Sequence, residues 1–128
     1  MIGGRILDPS ALAALIHGNL TVESWLGVAP ALGMTIWVPE LARTEVETLF
    51  PRTAGVLLQL LVEHPQVLIA APTAADTAAA VDLLNHAGVF DAAAALTVHA
   101  ARQRGWLILT ADPGRLTRID ADVELETI

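Results

Sequence analysis

Short apolar runs that alternate with helix-forming segments leave this chain few architectures. Arg5 to Asp8, Met34 to Val38, Val67 to Ala71 and Trp106 to Leu109 each read as a short buried strand bounded by Gly or Pro. Val123 to Leu125 reads as a final edge strand. The segments between them repeat apolar residues at helical spacing: Ser10 to Ile16, a stretch capped at Thr21 with Val22, Trp25, Leu26 and Ala29, then Glu40 to Phe50. A further helix runs from Thr53 through His64, another follows Pro72-Thr73 until Asn85-His86-Ala87-Gly88, and an alanine-rich one spans Val89 to Arg104. Strands separated by helices join as crossovers, which makes the sheet parallel and covers both of its faces. The expectation is an α/β fold in one domain over residues 1–128, a size that buries about two thirds of the unfolded chain's surface.

The charge inventory removes several chemistries. All seven basic residues are arginines, so there is neither a phosphate-loop lysine nor a Schiff-base amine. Without cysteine there is no disulfide or thiolate chemistry. No apolar run approaches the roughly 20 residues of a membrane span, and no basic stretch leads into a long apolar one; a cytoplasmic protein with no membrane partner is expected. A net charge of -7 repels polyanions, so a nucleic-acid role needs metal ions or local arginine clusters.

Acids stand where strands stop. Asp8 follows Ile6-Leu7 and precedes Pro9-Ser10, and Asp112 stands in Thr110-Ala111-Asp112-Pro113-Gly114 after the Trp106 strand. Each has an ordinary reading as a helix cap or turn residue and a functional one as a ligand-binding acid at the sheet edge. Glu40, Glu45 and Glu47 share one helix, and Glu45 lies nearest its apolar stripe. Asp91, between Phe90 and Ala92, either caps the alanine-rich helix or points into the pocket of Asp8. Two unit charges 4 Å apart repel by about 4 kcal/mol at an effective dielectric near 20, so four convergent carboxylates require raised pKa values or a cation. Oxygen-only ligands favour Mg²⁺ or Mn²⁺ over zinc.

Ile6-Leu7-Asp8-Pro9-Ser10-Ala11-Leu12, Thr44-Glu45-Val46, Phe90-Asp91-Ala92 and Leu109-Thr110-Ala111-Asp112, in that order, resemble the four motifs of PIN-domain ribonucleases. Within them, the chain resembles the compact toxins of VapBC toxin–antitoxin pairs. The resemblance implies a three-layer α/β/α domain with a central parallel sheet and Mg²⁺- or Mn²⁺-dependent endoribonuclease activity. It also implies frequent homodimers and inhibition by a small antitoxin. It assigns Asp8, Glu45, Asp91 and Asp112 as catalytic metal ligands, supported by Ser10 and Thr110. The RNA surface falls to Arg43, Arg52, Arg102, Arg104, Arg115 and Arg118, foremost Arg43, Arg102 and Arg115. The scarcity of basic residues and the small size depart from the family's usual pattern.

Other residues read more plainly. His17, His64, His86 and His99 lack metal-ligand spacing, and structural or surface roles are expected of them. Trp25, Trp37 and Trp106 belong to the core, a dimer interface or, less simply, a base-stacking surface. Val56, Leu57, Leu60 and Leu61 form a helical stripe that faces the core or a partner. Two other functions compete: a non-catalytic PIN-like protein-binding module with a vestigial acidic pocket, and a phosphoacceptor receiver. The absent lysine counts against the receiver.

Overall fold

The computed structural model describes residues 3–128. Five strands form one parallel sheet: β1 (Gly4–Leu7), β2 (Thr35–Pro39), β3 (Val67–Ala70), β4 (Leu107–Thr110) and β5 (Leu125–Thr127), ordered β3-β2-β1-β4-β5. The helices are α1 (Pro9–Ile16), α2 (Leu20–Leu32), α3 (Glu40–Leu49), α4 (Ala54–Glu63), α5 (Ala74–Ala87), α6 (Ala92–Arg104) and α7 (Pro113–Thr117). The chain moves outward from β1 to β3 and then returns to the other side of β1 as β4. The order therefore reverses between β1 and β4, where open parallel sheets form a crevice beyond their strand ends.

Strand side chains alternate between two cores, as the two-residue period requires. Leu7, Ile36, Val38 and Leu109 face one layer, with Leu12 and Leu15 of α1, Ala42 and Val46 of α3, and Leu58 and Leu61 of α4. Ile6 and Ile108 face the other, with Leu84 of α5, Ala94, Ala95 and Val98 of α6, and Leu116 of α7. The fold is thus the expected three-layer α/β/α arrangement. The alanines of α6 let this helix pack close on the sheet, and most of its circumference is buried. Among the described residues, no helix is long and apolar enough to cross a membrane.

Close packing fixes one glycine. A Cβ on Gly4 would lie 2.5 Å from the Thr35 carbonyl oxygen and 2.7 Å from the Trp106 ring, so only a hydrogen fits.

Several element ends differ from the sequence expectation. The second helix is capped by Asn19, whose side chain accepts from the Val22 N–H, so Thr21 lies inside it. The alanine-rich helix starts at Ala92 rather than Val89, because the Asp91 side chain accepts from the Ala94 N–H and fixes the first turn there. The edge strand lies at Leu125–Thr127 instead of Val123 to Leu125; pairing with β4 aligns Leu125 with Ile108. On α4 the expected stripe divides: Leu61 is buried and Leu57 partly so, whereas Val56 and Leu60 are exposed, and Leu58, outside that stripe, is buried instead.

The tryptophans pack within the chain. Trp25 lies against Arg5 and donates through Nε1 to Glu126 at 2.9 Å. Trp37 lies 3.6 Å below the Arg104 guanidinium, which also approaches Trp106. Arg104 thereby serves as a packing residue on the sheet. The histidines are structural, as expected, or exposed: His64 Nε2 bonds to the Leu26 carbonyl, His17 Nδ1 to the Ala13 carbonyl, and His99 to Asp76, while His86 is exposed.

Candidate functional site

Three helices begin at the carboxyl edge of the sheet with an aspartate, and these aspartates are three of the four acids singled out by the sequence. Asp8 caps α1 through the Ala11 N–H (2.8 Å), Asp91 caps α6 through the Ala94 N–H (3.3 Å), and Asp112 caps α7 through the Arg115 N–H (3.4 Å). Pro9 and Pro113 occupy first-turn positions, where proline's missing N–H loses nothing. The capping reading is therefore correct for all three. It does not exclude the functional one, because each carboxylate retains further acceptor capacity.

Asp8 is fully buried at the β1–β4 switch point. The Ser10 hydroxyl donates to its Oδ1 at 2.7 Å, and the Thr110 hydroxyl donates to its Oδ2 at 2.6 Å. Ser10 Oγ in turn accepts from the Ala111 N–H at 2.8 Å, and Thr110 Oγ1 accepts from the Asp112 N–H at 2.9 Å. A hydroxyl has one proton to give. With both protons directed at Asp8, the 3.1 Å approach of Ser10 to Thr110 is a contact rather than a donated bond. Ser10 and Thr110 thus link the loops after β1 and β4 through one carboxylate. Burial pushes the Asp8 carboxyl up from its ordinary 3.8, and the bonds from Thr110, Ser10 and Ala11, with the nearby Arg115 charge, oppose this without cancelling it.

Arg115 occupies the centre of the remaining acids. Its Nη1 and Nη2 donate to Glu45 Oε2 and Oε1, each at 2.7 Å, while Nε and Nη2 donate to Asp91 Oδ2 and Oδ1 at 2.7 and 2.9 Å. Arg118 Nη2 adds a 3.7 Å contact to Asp91. The hydrogen bonds from Arg115 hold the Asp91 carboxyl below its ordinary value, against its partial burial. Those bonds, Glu45's first and then Asp91's, hold Arg115 even more firmly protonated than an ordinary arginine. Glu45, not Glu40 or Glu47, is the α3 acid that enters this cluster; Glu47 instead pairs with Arg43 at 3.6 Å.

The sequence expectation assigns Arg115 only an RNA-surface role and misses its pairing with Glu45 and Asp91. The signal was present: a cluster of acids demands a cation, and Arg115 follows Asp112 by three residues. Arg43 points to Glu47, two positions from Glu45 on the same helix, a spacing that does not share a face. Arg102 lies toward the far end of α6, roughly 16 Å along the helix axis from Asp91, and approaches Asp120 at 3.8 Å. The structure brings neither to the acids.

Carboxylate oxygens from two chain segments, Glu45 of α3 and Asp91 at the start of α6, meet around one guanidinium, and oxygen donors of this kind suit a hard divalent cation. As arranged, Glu45 and Asp91 are spaced for the guanidinium. Among the described residues, no three His, Asp or Glu side chains stand close enough to hold an ion without rearrangement.

No protein-family model matches the chain, and no curated protein does. Solved structures do. The chain superposes on VapBC2 from Rickettsia felis, a structure bound to a promoter DNA fragment, with a TM-score of 0.70 at 16% identity, over 97% of this chain and 98% of that one. It superposes on FitAB bound to the IR36 DNA fragment with a TM-score of 0.61 at 16% identity, over 96% and 94% of the two chains. For FitAcB from Neisseria gonorrhoeae the TM-score is 0.58 at 19% identity, over 94% and 95%. At such identities the likeness is one of fold, and it extends over nearly every element described above. The chain therefore shares the fold of a chain in the VapBC2, FitAB and FitAcB structures.

Proposed function

We propose that the protein is an Mg²⁺- or Mn²⁺-dependent endoribonuclease and the toxin of a type II toxin–antitoxin pair. The observation that carries this reading is the gathering of Glu45 and Asp91 around one positive charge beside the buried Asp8, at the β1–β4 switch point. Asp8, Glu45, Asp91 and Asp112 would hold the ion. When bound, it supplies Lewis-acid stabilisation of the charge that develops on a phosphodiester during water attack.

The chain's own residues do the positioning. Ser10 and Thr110 fix both oxygens of Asp8, so its carboxylate need not reorganise. Asp112, as the α7 cap, sets the turn that aims Arg115 into the cluster. For an acidic chain the RNA backbone must be met by local cations; Arg43, Arg102 and Arg115 are assigned that role, with Arg118 beside Asp91. Exposed Leu49, Val56 and Leu60 give a second copy or a small antitoxin an apolar surface to cover. Fold likeness to VapBC2 and FitAB supports a partnered toxin; action on RNA and a cytoplasmic location belong to the proposal.

Purified protein should cut a single-stranded RNA when Mg²⁺ or Mn²⁺ is supplied and stop when EDTA is added. Asp8→Asn should reduce the rate by about 100-fold or more. Cleavage that survives either treatment overturns the reading. One observation favours a second function: Arg115 already pairs with both Glu45 and Asp91. A non-catalytic binding module with a vestigial acidic pocket would keep that arrangement permanently and bind no divalent ion at millimolar concentration.

A further inference from the structure

Arg115 uses all four carboxylate oxygens of Glu45 and Asp91, two residues that the metal-dependent reading assigns to the ion. We propose that Arg115 is a built-in competitor of the divalent cation, a latch that must leave these carboxylates before the ion can enter. The inference rests on the metal-dependent reading of the same site.

Geometry and charge support it. Bonds of 2.7 Å to both acids place the guanidinium plane in the gap between them, where an ion contacting both would sit. A dication beside that fixed positive charge would be repelled, and the repulsion is weakly screened because the Asp91 side chain is only 15% exposed and that of Glu45 31%. Without either cation, Glu45 and Asp91 would repel each other next to the buried Asp8. Arg115 therefore stabilises the metal-free chain.

The latch can also open. Arg115 sits on the five-residue α7 and keeps 21% of its side chain exposed, so a path to solvent exists through rotation about its stem. A released guanidinium offers a phosphate the same two-pronged donor fork it offers Glu45. Metal entry and presentation of Arg115 to a polyanion are then two results of one movement.

Mn²⁺ binding, followed by the loss of the free-ion electron paramagnetic resonance signal, tests this without any activity assay. Arg115→Ala should bind Mn²⁺ about tenfold more tightly than the wild type, whereas Arg118→Ala, which removes an exposed charge making one longer contact to Asp91, should change affinity by less than about threefold. Equal affinity of wild type and Arg115→Ala overturns the latch and leaves the metal site standing. No binding by either protein overturns both. Because removing Arg115 exposes two acids to each other, the wild type supplies a second measurement: its Arg115 Nε–H resonance should shift and lose exchange protection as Mg²⁺ is added. A resonance unmoved at saturating Mg²⁺ overturns the proposal.

Discussion

Arg115 donates to both carboxylate oxygens of Glu45 at 2.7 Å, joining a residue of α7 to one of α3 across the carboxyl edge of the sheet. Such a forked pair fixes direction as well as distance, and here the remaining donors bind Asp91 at the start of α6. Three elements from different parts of the chain are held by one side chain.

Removing that side chain should destabilise the metal-free protein. Arg115→Ala leaves two partly buried carboxylates facing each other and should lower stability by about 1–3 kcal/mol, read from urea midpoints at constant slope. Millimolar Mg²⁺ should restore more stability to this variant than to the wild type, since a ligand stabilises according to its affinity for the folded state.

The buried hydroxyl of Thr110 has two tasks, donation to Asp8 and acceptance from the Asp112 N–H. Thr110→Val keeps the shape and removes both, leaving an unpaired oxygen on a buried carboxylate. A loss of about 1–3 kcal/mol in chemical denaturation is expected, together with a lower cleavage rate. Ser10→Ala should act in the same direction but less strongly on stability, because Ser10 is only partly buried.

Asp8 and Asp91 should give the pH profile of stability two limbs of opposite sign. Burial raises the folded Asp8 pKa above 3.8, so the folded state binds the extra proton; that contribution is full below 3.8 and is lost as pH rises through the folded value. Asp91, lowered first by its hydrogen bonds from Arg115, contributes stability above 3.8 that is lost as pH falls through its folded value. Urea midpoints measured across this range should show Asp8→Asn lacking the decline on the alkaline side and Asp91→Asn lacking the decline on the acid side.

Gly4→Ala tests the packing that places β1. The added methyl meets the Thr35 carbonyl and the Trp106 ring together, and overpacking of about 1–3 kcal/mol is expected. Trp106→Leu should relieve only part of it, because the Thr35 backbone cannot be trimmed.

Much of this was legible in the chain itself. Pro9 after Asp8 and Pro113 after Asp112 mark helices that start where strands stop, and this pattern is enough to place both acids at one sheet edge. Gly88 and Gly105 mark helix ends by their left-handed backbone, which other residues rarely adopt. The start of α6 was less legible, because Val89 and Phe90 suit a helix as well as the loop they form, and only the Asp91 bond to Ala94 decides. Thr21 is the cap expected from the sequence; Asn19 is at least as good a cap type, and its bond from the Val22 N–H decides. The partner of Glu45 was beyond local patterns altogether: Arg115 lies 70 residues away, and only the folded sheet brings the two together.

Anomalous diffraction from crystals soaked in Mn²⁺ tests the central claim most directly. The account predicts one or more peaks at coordination distance from Asp8 and from Glu45 or Asp91, with the Arg115 guanidinium displaced from both acids. Crystals showing no anomalous peak at these carboxylates, with Arg115 still bonded to Glu45 and Asp91, would contradict it.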